Sequence, residues 1–249
     1  MIGFITTVSL VLLSLPSGAM ESLADGDAAF FRIEYPLAIA LYTDGLQQSP
    51  DNPEFLWRLA RAYVCRGEVA PEEEREVMFQ AAEGYAMRCT RADSLLASGH
   101  TWRAAALGYL ALHAGMKDQV WLSRELISEV ELAIALNPID GAAYSIKGSF
   151  YRALGNVSWF QRQLAEIFLG NVPDGGYEQS ETALKQAIAL APDVMRHHYE
   201  LAVLYIDWDR HEEARDILVR AAQLPVRVAI DRERLVRIQE LLSSLNDVK

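Results

Sequence analysis

The 249-residue sequence predicts an all-α fold, a right-handed solenoid of stacked helical hairpins with inserted helices, on three observations. Apolar residues beyond position 26 recur at helical spacing, with Ala and Leu abundant and no sustained alternation of β-branched residues. Clusters of turn-forming residues cut the chain into helix-length pieces. Two packing patterns alternate from piece to piece, and each places a small residue where two helices must approach closely.

The breaks are SPDNP at 49–53, GEVAP at 67–71, NPIDG at 137–141, NVPDGG at 171–176 and APD at 191–193. In the first pattern a bulky residue is followed four positions on by a small one and three further on by Tyr: Leu56, Ala60, Tyr63; Trp102, Ala106, Tyr109; Tyr144, Gly148, Tyr151; and His198, Ala202, Tyr205. The second pattern ends on a proline: Ala38, Tyr42, Gly45, Pro50; Leu126, Val130, Ala133, Pro138; Ser180, Leu184, Ala187, Pro192; and Ala214, Leu218, Ala221, Pro225. The proline stops one helix so that the next can begin, and a pair built this way buries its faces only by stacking on its neighbours. The interval from Pro192 to Pro225 is close to the tetratricopeptide period of about 34 residues. Longer intervals elsewhere predict insertions: an extended helix through PEEEREVMFQAAEGYAMRC, the segment GMKDQVWLSRELISE, and WFQRQLAEIFLG between two helices of one repeat. The closing DRERLVRIQELLSSL is charged on one side and suits a capping helix, giving a repeat domain over 26–249.

Ahead of it, the apolar run ending near Leu15, followed by Pro16, Ser17, Gly18 and Ala19, has the form of a secretory signal over residues 1–19 with a cut near Ala19. A short membrane anchor or a buried first helix are the alternatives, and the chain is expected to be exported (periplasmic or secreted) or membrane-associated. Cys65 and Cys89 fall on the two helices of one hairpin, one near its turn and one near its open end, too far apart to bridge.

A formal charge of −11 and the lack of a dense Lys/Arg run weigh against nucleic acid as a partner. Glycine-rich phosphate loops, HExxH pairs and GxSxG elbows are missing, so no enzymatic activity, cofactor or metal is expected. Adjacent His197 and His198 point about 100° apart on a helix and cannot readily share a metal; His198 fits the bulky packing slot and His197 is expected to be exposed. DWDRHEE at 207–213 reads as a turn in which Asp209 caps the next helix.

Several stretches resemble the regulator of microtubule dynamics branch of tetratricopeptide proteins: EFLWRLARA at 54–62, the pair His100 and Trp102, EVELAIALNPIDG at 129–141, WFQRQLAEIFLG at 159–170 and GYEQSETALKQAIALAPD at 176–193. TRADSLLASGHTW departs from the family pattern. The resemblance implies a protein that acts through interactions, with microtubules as a partner by resemblance alone. In stacked hairpins the first helices line the concave side, which nominates Trp57, Arg61, Arg103, Arg152, Arg196 and Tyr199 as a partner-binding stripe for a protein or peptide. The alternative is a lipid or small-molecule carrier whose cavity is closed by the inserted helices, with Trp159, Leu164, Ile167 and Phe168 as its wall.

Overall fold

Why the chain breaks where it does is visible at the helix ends. In the computed structural model, which describes residues 17–157 and 175–247, the Asn52 side chain accepts a hydrogen bond from the Glu54 N–H at 2.9 Å, and Pro53 opens the helix that follows. Asp140 does the same for the Ala142 and Ala143 N–H groups at 2.9 and 3.2 Å. The resulting helices are α1 (Ser17–Phe31), α2 (Tyr35–Gln48), α3 (Pro53–Glu68), α4 (Glu72–Ala92), α5 (Ala97–His113), α6 (Met116–Leu136), α7 (Gly141–Gly155), α8 (Tyr177–Leu190), α9 (Met195–Asp207), α10 (His211–Ala221) and α11 (Asp231–Asp247). They pack as five successive hairpins, α1 with α2 through α9 with α10, and α11 closes the array against α9 and α10. The described residues contain no strand.

Two turns use left-handed residues. Asp209, at φ 57°, ends α9 and lets the Arg210 N–H reach back to the Tyr205 carbonyl at 2.8 Å, a Schellman-type closure. Asp209 therefore terminates one helix instead of capping the next, where the N-cap position falls to Arg210. Ile33, at φ 64°, plays the same part after α1, and the Glu34 N–H donates to the Ala29 carbonyl at 3.0 Å.

The alternating patterns become the packing between helices. Every residue named before the proline in the second pattern is buried, from Ala38, Tyr42 and Gly45 to Ala214, Leu218 and Ala221. So are the small residues Ala60, Ala106, Gly148 and Ala202 of the first pattern. Gly148 shows why smallness is required: a Cβ there would lie 2.4 Å from Leu184 Cγ, and its carbonyl accepts a hydrogen bond from Ser180 Oγ at 2.7 Å. Helices α7 and α8 touch at this point with no room for a methyl group.

Two expected insertions are absorbed into the hairpins. GMKDQVWLSRELISE forms the first part of α6, and PEEEREVMFQAAEGYAMRC lies almost entirely in α4; each of these second helices runs 21 residues. The segment WFQRQLAEIFLG, and with it the expected wall of Trp159, Leu164, Ile167 and Phe168, lies outside the described residues.

The expected localisation is corrected. Among the described residues no helix is long and apolar enough to cross a membrane, so an exported or membrane-associated placement has no support. The apolar run through residue 16 lies outside the described residues, and α1 passes through the expected cut at Ala19 to pack on α2.

Gly148→Val is expected to destabilise the protein by about 2 kcal/mol or more, because Leu184 is held by its own neighbours and the overpacking cannot be relieved at a flexible side-chain tip. Urea denaturation followed by circular dichroism measures this, with Gly84→Ala as a control at a glycine whose Cβ would meet nothing within 4 Å.

Candidate functional site

Helices α1, α3, α5, α7 and α9 face the inside of the array, and the chain's own C-terminal segment folds back across that face. The Ala229 N–H donates to Tyr35 Oη at the start of α2 at 2.9 Å, joining residues 194 apart in sequence. Asp231, only 2% exposed, accepts the Arg227 and Val228 N–H groups at 2.9 and 3.1 Å and Arg234 Nη1 at 2.8 Å, which shapes the turn into α11. Arg234 then reaches Glu68 at the end of α3, 3.2 Å from Nη2.

Glu68 is 8% exposed and gathers partners from three other helices: Tyr109 of α5 donates its hydroxyl, Arg196 of α9 lies at 3.4 Å, and Arg234 comes from α11. A carboxylate this buried costs several kcal/mol in lost hydration unless it is paired. Here it is paired, and the pairing fixes where α11 can dock.

Beneath the folded-back segment is a cavity of about 440 Å³. Its apolar wall includes Phe30, Phe31, Val64, Trp102, Ile146 and Val228. Its polar side chains include Arg61, Arg196, Arg234, His197, Ser145, Glu68 and Asp231. Within this set Arg61 Nε, Arg196 Nε, Ser145 Oγ and His197 Nδ1 are buried and make no hydrogen bond. His197 is 3% exposed rather than solvated; its burial, with the Arg196 charge beside it, lowers its pKa to about 3, so the ring is neutral. His198 occupies its packing slot and bonds the Pro192 carbonyl at 2.8 Å.

Arg196 stands between this cavity and a trough of about 240 Å³ between α5, α6, α7 and α9, lined by Tyr109, Gln119, Phe150, Arg152, Arg196 and Glu200 among others. Arg152 Nε and Glu200 Oε2 are also buried there without a hydrogen bond.

The six residues nominated from the sequence are spread over this face. Arg61 lies 3.0 Å from Asp27 and stacks over Phe30 with its guanidinium 3.8 Å from the ring centre. Trp57 is half-buried against the first core cluster, and its indole N–H donates to Glu54 at 3.0 Å. Arg103 is enclosed by Glu83, Glu125 and Glu129. Arg152 pairs with Asp207 at 2.9 Å and Glu200 at 3.5 Å, and Arg196 with Glu68. Tyr199 packs on the cluster of Met195, Leu218 and Ile238 and edges a depression with Glu200 and Arg237. Arg61 and Arg196 meet in the cavity, Arg152 and Arg196 in the trough; Trp57 and Arg103 line neither.

Sequence reasoning missed Glu68, Asp231, Arg234, Ser145 and His197. One signal was present: Asp231 and Arg234 fall on the same stripe of α11 as Leu235, Ile238, Leu242 and Leu245, so charges occupy an otherwise apolar face. Among the described residues no group of three or more His, Cys, Asp or Glu is placed to hold a metal ion. Cys65 and Cys89 are both buried and unbridged; burial pushes the Cys89 thiol up to about 12 and raises that of Cys65 further.

Five stacked hairpins and a closing helix define the class, a tetratricopeptide-type helical repeat. A thermophilic repeat protein of this type from Thermus thermophilus superposes with a TM-score of 0.68 over 90% of this chain and 99% of its own, at 21% identity. Residues 24–246 match the family described as Regulator of microtubule dynamics protein 1-3, and the chain belongs to that family. Mouse Regulator of microtubule dynamics protein 1 is 25% identical over 78% of this chain and 65% of its own length, and human Regulator of microtubule dynamics protein 2 is 24% identical over 82% and 50%. The chain thus spans one-half to about two-thirds of these curated relatives.

Glu68→Ala is expected to cost about 3–5 kcal/mol, since it strands Arg196 and Arg234 beside an empty acceptor. Adding Arg234→Met should restore part of the loss; two independent, additive losses in denaturant midpoint would contradict the pairing.

Two histidines set opposite pH limbs. His197 binds its proton only near pH 3 when folded but near 6.5 when unfolded, so its neutral form contributes full stability above about pH 6.5, lost as the pH falls toward 3. After burial, the charges of Arg196 and Arg234 oppose its protonation. His100 is the reverse: its hydrogen bond to Glu129, at 2.6 Å, raises its pKa against burial and the nearby Arg103 charge. The charged form contributes below about pH 6.5 and is lost as the pH rises through the raised value. Between pH 4.5 and 8 the urea midpoint is expected to peak near 6.5, with His197→Gln flattening the acid limb and His100→Gln the alkaline one.

Proposed function

We propose that the chain is a non-enzymatic scaffold that holds an extended segment of a protein partner along the part of its concave face between α5, α7 and α9. The fold and the family supply the general reading, because helical-repeat proteins of this kind act by presenting surfaces. The observation that carries the finer one is the trough itself. Arg152 Nε is a donor and Glu200 Oε2 an acceptor, both buried and without a hydrogen bond, in a trough that also holds the aromatic rings of Tyr109 and Phe150. An extended peptide offers carbonyls and N–H groups in alternation, and its side chains supply apolar surface for the rings. Arg152 is then the partner contact of the nominated set, with Arg196 at the boundary between trough and cavity. Trp57 and Arg103, which line neither cavity nor trough, serve to hold the array together.

The curated relatives are named for microtubule dynamics, which makes tubulin polymer the first partner to test. Co-sedimentation of the purified chain with microtubules should be lost in Arg152→Glu if the trough is used. Site-specific photo-crosslinking extends the test to any partner: a benzophenone amino acid at Ser149 in the trough should give discrete adducts that Arg152→Glu abolishes. Adducts formed only from exposed position 212 on α10, which does not line the trough, would contradict the proposal.

A further inference from the structure

The cavity beneath the C-terminal segment adjoins the trough at Arg196 and poses a different chemical problem. Its two carboxylates are already paired with arginine. Glu68 accepts from Tyr109, Arg196 and Arg234, and Asp231 accepts from two backbone N–H groups and Arg234. Four polar atoms are left over: the donors Arg61 Nε and Arg196 Nε, and the Ser145 hydroxyl, 1% exposed, and His197 Nδ1, each able to donate or accept. Four arginines and two carboxylates line the space, and Asp27 and Asp193 pair Arg61 and Arg227 from beside it. The remaining wall is aromatic and aliphatic, from Phe30, Val64, Trp102, Ile146, Val194 and Val228.

Each class of occupant can be weighed against this lining. A cation would meet the Arg61 and Arg196 guanidinium groups at the unpaired positions. A purely apolar molecule would bury the walls but leave the donors unpaired, at about 1–3 kcal/mol each. An anion with an apolar body satisfies both halves. The volume of about 440 Å³ falls in the lower part of the range for small-ligand sites. The roof, pinned by the Ala229 to Tyr35 and Arg234 to Glu68 bonds, favours a molecule that ends inside over a chain passing through.

We propose that this cavity is a binding site for a small apolar carboxylic acid, its carboxylate received by Arg61, Arg196 and Ser145 and its body by Phe30, Trp102 and Val228. The site goes beyond the scaffold reading and stands without it, because the trough holds the partner segment and the cavity holds the acid. Binding also couples to the fold, since the roof residues 226–234 form part of the wall. An occupant therefore raises the stability of the docked C-terminal segment.

The test is isothermal titration and thermal denaturation of the full chain at pH 7 with octanoate and 2-naphthoate, against octanol and octylamine. Saturable one-to-one binding of at least one acid, a higher melting temperature and at least tenfold weaker binding of the alcohol and the amine are expected. Ser145→Ala should weaken the acid about tenfold through one lost hydrogen bond to a charged group. Val228→Trp, which fills the cavity from its roof, should abolish binding while circular dichroism shows the helices retained. Arg152→Glu in the trough should leave acid binding unchanged, which separates this site from partner binding. The proposal is overturned if neither acid binds the folded wild-type chain, if octanol or octylamine binds equally well, or if Ser145→Ala and Val228→Trp bind as wild type does. It is equally overturned if a peptide ending in phenylalanine, or a two-chain anionic lipid taken from vesicles, binds where both free acids fail.

Discussion

A buried carboxylate at the end of α3 sets the terms for the rest of this molecule. Glu68 has little access to water, so its charge must be answered from within, and the answering groups come from α5, α9 and α11. A stack of hairpins joined only to nearest neighbours can extend without limit, because each repeat touches just the next. Glu68 adds a contact between its second hairpin and its last helix, and the Ala229 to Tyr35 bond adds another between the turn before α11 and the first hairpin. The array becomes a closed object whose inner face is divided.

That division explains why the concave side is not one groove. The folded-back segment lies over the part nearest α1 and α3 and lines the cavity there; the trough between α5, α7 and α9 has no residue of that segment in its wall. It also accounts for the arginines. A basic stripe facing an open groove would be solvated and available, whereas here Arg61, Arg103, Arg152 and Arg196 are each matched by carboxylates of the same chain. Exposed pairs of this kind contribute under about 1 kcal/mol, so it is the buried members around Glu68 that decide geometry. The donors left over after all this pairing are the chemically distinctive feature of the inner face.

The hairpins were legible because their determinants are local. Ala38, Tyr42 and Gly45, or Leu126, Val130 and Ala133, face their partner helix as their spacing predicts, and the two Cys residues sit where the hairpin reading puts them. What pairs across the array was not legible, because nothing in the spacing of a helix marks which charge 166 residues away will meet it, as with Glu68 and Arg234. His197 looked exposed for the same reason: its own helix leaves it on the outer side of the packed stripe, and the cavity lining of α7 buries it. Asp209 was misread because a helix stop and a helix start share residue types, and only the backbone angle distinguishes them. The apparent insertions were longer second helices, since a turn signal is absent within α4 and within α6.

Closure of the array is the claim on which both the cavity and the trough depend, and one amide reports it. Ala229 lies in a turn between helices, where a backbone N–H would ordinarily exchange freely with solvent; its protection here comes from Tyr35 alone. Residue-resolved hydrogen exchange by nuclear magnetic resonance should find this amide slow in the wild-type chain and fast in Tyr35→Phe, with the amides of α3 and α5 unchanged. An Ala229 amide that exchanges in the wild type as fast as an open turn would mean that the C-terminal segment does not lie across the concave face, and the divided inner surface would fall with it.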